Sequence, residues 1–199
     1  MVFADLFFLF AFLPAFALCY LLASRAEGNR VKNAVLVVFS LIFYAWGEPV
    51  YVFLLVLCAL LNWLVGLGVG RRGRGKTFWL IVGLVVNLAI LGTFKYLGFF
   101  ADLLDRIGVS VSVPEIALPI GISFYTFQSI SYLVDVYRGE SPAQKRFWDL
   151  LLYIAMFPQL IAGPIVRYGT IAKEIHRRKV TVDDLADGSF RFLVAWARK

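Results

Sequence analysis

The apolar positions gather into five long runs: Phe3–Ala23, Val31–Trp46, Val50–Val69, Phe78–Leu97 and Leu118–Val136. A helix needs about 20 apolar residues to cross hydrocarbon, and these runs approach that length. The second is short, and Arg30 and Lys32 at its start can snorkel to extend it. Gly47-Glu48-Pro49 predicts a tight turn into the third run. Phe43, Tyr44, Trp46 and Tyr51 around that turn read as an interfacial aromatic belt. The fifth run differs from the others. One helical face of it carries Ser123, Gln128, Ser129, Ser131 and Tyr132, and Pro119 and Gly121 open it. A second stretch, FPQLIAGPIVRY from Phe157 to Tyr168, again mixes glutamine, glycine, proline and arginine with apolar residues. Polar groups and helix breakers are expensive in lipid and are tolerated where protein or a cavity surrounds them.

Composition agrees with this pattern. The chain has 199 residues, 61% of them hydrophobic, against about half in a soluble domain. A core of ordinary size cannot hide so much apolar surface, so lipid takes part of it. The net charge of +7 sits in short loops between apolar runs. That is a topology signal, and no basic face for nucleic acid is visible. Cys19 and Cys58 lie inside apolar runs as small core residues. His176 has no partner histidine, so no metal site is expected. Phe3–Ala23 is too long for a signal-peptide core and lacks a basic flank, so it reads as a retained first helix.

Loop charge sets orientation. Arg25, Arg30 and Lys32 outweigh Glu27, and Arg71, Arg72, Arg74 and Lys76 stand unopposed. Glu48, Asp102, Asp105 and Glu115 mark the other side. The N-terminus is therefore expected outside and the basic loops in the cytoplasm. Arg167, Lys173, Arg177, Arg178 and Lys179 break the alternation if Phe147–Val166 crosses fully. Pro158 and Gly163-Pro164 predict instead a broken or re-entrant helix that returns to the same side. Ser141-Pro142 predicts an N-cap and N1 for a helix through Trp148, and Thr181 to Asp184 resembles a capping box. Phe99–Ile107 reads as a short interfacial helix. The expected fold is all-α and polytopic: five spanning helices, one re-entrant or broken helix and amphipathic helices, in one domain over 1–199.

FYAWGEPVYVFLLVL from Phe43, KYLGFF from Lys95, LPIGISFYTFQSISYLVDVYRG from Leu118 and FPQLIAGPIVRY from Phe157 resemble the membrane-bound O-acyltransferase family, in particular its alginate O-acetyltransferase branch. The resemblance covers almost the whole chain and keeps the order of the blocks. It implies a bacterial inner-membrane enzyme that takes an acyl group from a cytoplasmic donor such as acetyl-CoA. The acceptor would be a polysaccharide hydroxyl or an acyl-accepting partner protein. It also implies that these residues are the N-terminal portion of a longer enzyme. The family's catalytic histidine lies in a C-terminal half, and His176, in the basic KEIHRRK segment, does not match it. This portion alone is then expected to be inactive, with no resident cofactor.

Acyl transfer needs a base for the acceptor hydroxyl and donors for the developing oxyanion. No residue here reads as that base, and Asp5, Asp102 and Asp135 sit at span ends. Asp135 before Arg138 reads as an interfacial ion pair. Tyr125 and Gln128, three apart on one helical face, are either a hydrogen-bonding wall for donor or acceptor or polar contacts between helices. Gln159 and Arg167 flank the Gly163-Pro164 break. Arg167 would meet a donor phosphate, a lipid headgroup or a neighbouring carboxylate. Asn62 and Asn87 are expected to bond each other or the backbone, and Gly66-x-x-x-Gly70 permits close helix approach. A transporter subunit or a non-catalytic membrane scaffold are the readings from other classes. No substrate path repeats in two halves, as a transporter often shows.

Overall fold

The computed structural model describes residues 6–26, 28–71, 73, 75–106, 117–160, 166–176, 178, 187, 188, 190, 191 and 194, with 98–106 described by their main chain alone. A π-helical turn, Phe8–Phe12, runs into α1 (Leu13–Ser24). It is followed by α2 (Arg30–Gly47), α3 (Tyr51–Val69), α4 (Gly75–Arg106), α5 (Ile122–Arg138), α6 (Phe147–Ala155), α7 (Phe157–Leu160) and α8 (Tyr168–His176). Every regular element among the described residues is helical. Arg30–Gly47, Tyr51–Val69 and Gly75–Leu97 are long and apolar enough to cross a membrane, and Phe8–Ser24 is apolar but shorter.

Several local expectations change. The main chain of α4 continues as one helix through Arg106, so the stretch from Phe99 is no separate element. A lone Gly98 costs a helix only about 1 kcal/mol, too little to end one this long. The fifth run becomes helical only at Ile122; Leu118 and Pro119 are irregular and Ile120-Gly121 form a turn. Gly121 adopts φ +78°, a left-handed conformation that suits glycine, and Ile122 N–H reaches Pro119 O at 3.2 Å. No helix starts at Ser141-Pro142. Residues 142–146 are irregular and α6 begins at Phe147, without a side-chain cap. A tertiary bond from Gln144 N–H to Tyr132 Oη at 2.9 Å, and a local one from Arg146 N–H to Gln144 Oε1 at 3.1 Å, override the cap. The Thr181 capping box, Gly163-Pro164 and Asp5 lie outside the described residues.

α3 is the hub, packing on α4, α5 and α6. Asn62 and Asn87 join α3 to α4 by two reciprocal amide bonds of 3.1 and 2.7 Å, and each also donates to a carbonyl one turn back, Cys58 O and Gly83 O. Gly66 and Gly70 receive Tyr132 and Ala143, whose atoms would lie 2.7 and 2.5 Å from an added Cβ. The small face thus seats a tyrosine and a loop. α6 is the most enclosed element, with Leu150, Leu151, Leu152, Tyr153, Ile154 and Ala155 all at most 1% exposed. A helix apolar on every side must be surrounded by protein or lipid, and here protein surrounds it.

The helix breaks at Met156, two residues before Pro158. Proline lacks an N–H and crowds the preceding turn, which accounts for the break. The freed N–H of Phe157 finds the buried Ser40 hydroxyl of α2 at 3.2 Å. The Phe157 ring enters a cluster with Phe8, Phe12, Phe16 and Phe43, at centroid distances of 5.4 to 6.4 Å.

Candidate functional site

The turn that opens α5 and the break after α6 meet each other. An added Cβ at Gly121 would lie 3.1 Å from Leu160 O, so the glycine permits that approach. α2 serves both interruptions. Ser40 takes Phe157 N–H, and Tyr44 Oη donates to Ile120 O at 3.0 Å. Tyr51 Oη adds a bond to Ala117 O at 2.8 Å. Phe43 and Tyr44, expected in an interfacial belt, are buried, whereas Trp46 is exposed. The backbone polarity released by two helix breakers is thereby satisfied inside protein. The turn at Gly121 and the break from Met156 to Leu160 thus form one structural unit, which Ser40 and Tyr44 complete.

At the other end of α5 lies a cleft of about 640 Å³, between the irregular segment from Glu140 to Gln144 and α8. That volume suits a small-molecule site. Ser141, Gln144 and Tyr168 supply its polar lining, Lys173 and His176 stand exposed on α8, and Ala143, Gly169 and Ala172 keep it open. Beneath it, Tyr168 is wedged between Tyr132 and Tyr153, with ring centroids at 5.0 and 5.2 Å and near-perpendicular planes. Gln144 Nε2 donates to Tyr168 Oη at 2.7 Å. Burial above all, then the neighbouring Tyr132, pushes the Tyr168 phenol above its usual range, against the lowering effect of Gln144. The phenol stays neutral and keeps a proton to donate.

The four residues singled out in the sequence do not converge. Gln128 is buried in α5 and donates to Tyr153 O at 2.7 Å, an interhelix bond. Tyr125 is fully buried, and its hydroxyl lies against that of Tyr44 outside the geometry of a well-formed hydrogen bond. Gln159 is half-buried in α7. Arg167 is exposed beside the cleft and pairs with Glu140 at 3.4 Å. Glu140 also takes Arg138 at 3.8 Å, in place of the expected Asp135–Arg138 pair. Asp135 acts through its main chain, accepting from Glu140 N–H and Ser141 N–H, because Gly139 at φ +78° turns the chain back over the helix end. His176 is exposed, as expected of a surface residue. Among the described residues no group of histidine, cysteine and carboxylate side chains could hold a metal ion.

As cleft residues Gln144, Ser141 and Tyr168 were not legible in the sequence: Ser141 reads there as an N-cap, Tyr168 as the end of an apolar block, and Gln144 lies in a segment without periodicity. The signal that was present is the polar content of SPAQ just after a glycine-capped helix.

No family model and no solved structure matches the chain. Among curated proteins it is similar to the probable alginate O-acetylase AlgI of Pseudomonas aeruginosa, with 42% identity over all of this chain and 39% of that protein. Its similarity to the protein of the same name from Azotobacter vinelandii is 40%, over all of this chain and 41% of that protein. The peptidoglycan O-acetyltransferase of Helicobacter pylori is 32% identical over 96% of this chain and 42% of its own length. The chain is thus similar along its whole length to proteins named as probable alginate O-acetylases, and it spans about two fifths of the length of those relatives.

Proposed function

We propose that this chain is the N-terminal portion of a membrane O-acetyltransferase that moves an acetyl group onto hydroxyls of an exopolysaccharide or onto a partner protein. One observation carries the reading: identity of about 40% along the whole chain to proteins named as alginate O-acetylases. Those relatives favour the enzyme over a transporter or a scaffold. In the transfer, the acceptor oxygen attacks the acyl carbonyl, its proton passes to a base, and the donor leaves. By the family resemblance, the base is a histidine in the length these residues do not span.

Five spans and one re-entrant segment fit the contacts best. Residues 144–147 and Tyr168 lie at the α5 end near Tyr132, whereas Leu160 lies against Gly121. Gly121 and Tyr132 are separated by about 16 Å of helix rise. The chain from Leu160 to Val166 can span about 20 Å when extended, enough to return. Tyr153 Oη then ties Val166 O to α6 at 2.8 Å. With the basic loops inside, the cleft faces the cytoplasm of a bacterial inner membrane. It is then an approach for a phosphate-bearing acyl donor such as acetyl-CoA, with Arg167 and Lys173 at its rim. In this reading Tyr125, Gln128 and Gln159 would serve the donor or acceptor as polar side chains of α5 and α7, with Gln128 also holding Tyr153 O.

Two experiments test this. Deleting the gene in its host should remove ester-bound acetyl from the secreted polysaccharide, measured by proton NMR, and the full-length gene should restore it. Unchanged acetylation would refute the activity. A cysteine at Thr170 should react with an impermeant maleimide only from the cytoplasmic side. Labelling from outside would overturn the re-entrant segment and leave the activity standing.

A further inference from the structure

We propose that α8 is a strap over the cleft, pivoting at Gly169 and latched at its far end onto α1 and α2 by Asn29, Asn33 and Arg178. Tyr168, Gly169, Ala172, Lys173 and His176 form one face of α8, and that face is a wall of the cleft. The two ends of the helix are held differently. At the near end, Tyr168 is locked between two rings and hydrogen-bonded to the buried Gln144. Next to it Gly169 has no side chain, and an added Cβ would stand 2.8 Å from Ser141 Oγ. That position combines close approach with backbone freedom, as a pivot requires.

The far end hangs mainly on polar bonds. Ile175 O accepts from Asn33 Nδ2 at 3.0 Å and from Asn29 Nδ2 at 3.5 Å. Arg178 donates to Asn33 Oδ1 at 3.2 Å and lies 5.4 Å over the Tyr20 ring. The two amide bonds satisfy one of the last carbonyls of a nine-residue helix that would otherwise fray. Ile175 is the one buried apolar anchor of this end among the described residues of α8. Asn29 stands at the N-cap of α2 without capping it, because its amide is turned toward α8. A helix with two buried side chains belongs to the low-stability part of a fold whose neighbour, α6, is buried from Asp149 to Ala155. Releasing the Ile175 end swings Ala172 and Lys173 away from Ala143 and opens the cleft. The strap is independent of the donor reading and holds whatever the cleft takes.

The test uses full-length protein in membranes. Ala172→Cys reports the cleft wall, Thr170→Cys reports the exposed side of α8, and the parent supplies the background of Cys19 and Cys58. With N29A/N33A, maleimide labelling at 172 should rise roughly tenfold, the factor for losing about 1.4 kcal/mol of latch. Labelling at 170 should not change. R178A, which keeps both amides, should shift labelling at 172 in the same direction and serves if the double variant fails to fold. Unchanged labelling at 172 in either folded variant overturns the strap. Parallel increases at 170 and 172 overturn it too, since the whole face would then have loosened.

Discussion

Replacing Gly66 by alanine probes the contact that seats α5 on α3. The new Cβ would lie 2.7 Å from Tyr132 Oη and 2.8 Å from Tyr132 Cε1, closer than real Cβ contacts come. Tyr132 cannot retreat cheaply: it is fully buried, its ring meets Tyr168, and its oxygen accepts Gln144 N–H. Overpacking of this kind costs about 1–3 kcal/mol, and displacing the phenol leaves a buried N–H unpaired for about 1–3 kcal/mol more. Against that, alanine gains about 1 kcal/mol of helix propensity over glycine. The balance is a loss of about 2–3 kcal/mol, which for a protein of this size lowers Tm by about 5–10 °C. Gly92→Ala is the control, because nothing lies within 4 Å of its added Cβ. It should leave Tm unchanged or raise it slightly. Tm is measured by tryptophan fluorescence in one detergent for parent, G66A, G92A, Y132F and G66A/Y132F. Removing the hydroxyl relieves the worst clash, so G66A should cost less in the Y132F background, a coupling of about 1 kcal/mol in a double-mutant cycle. A G66A protein as stable as the parent, or strictly additive changes, would refute the close seating of Tyr132 on Gly66.

Further outcomes follow from single contacts. Asn62→Leu leaves the buried Asn87 Oδ1 without its donor, though Asn87 Nδ2 keeps Gly83 O, and should cost about 1–2 kcal/mol, whereas N62L/N87L should recover part of it, both read by detergent melts. Ser40→Ala removes the acceptor of Phe157 N–H and should speed hydrogen exchange in the 156–160 peptide, with α3 peptides unchanged. Unaltered exchange there would mean the break is satisfied elsewhere. Glu140→Gln loses two exposed ion pairs, with side chains 43 to 69% accessible, and should change stability by less than about 1 kcal/mol. A larger loss would show that Glu140 does more than the surface pairing.

The sequence alone carried what depends on run length and on residue type at fixed spacing. Apolar runs bounded by Arg30, Gly47-Glu48-Pro49 and the Arg71 loop place α2 and α3 within a residue or two, since hydrocarbon thickness and turn chemistry are local constraints. Asn62 and Asn87 were legible as partners because a mid-span amide has few alternatives. The blocks around Gly121 and Pro158 announced interrupted helices, and their resemblance to O-acyltransferases was readable at once. Tertiary structure alone decided where released polarity goes. Ser40 and Tyr44 look like ordinary span and belt residues until the two interruptions are brought against α2. The Ser141 cap lost to Tyr132 and Tyr168, which bind Gln144 from other elements and hold 142–146 out of a helix. The cleft is formed by segments lying 24 to 36 positions apart, so no local pattern could announce it. Its walls meet only because α6 is short enough, and enclosed enough, to bring the chain back beside α5.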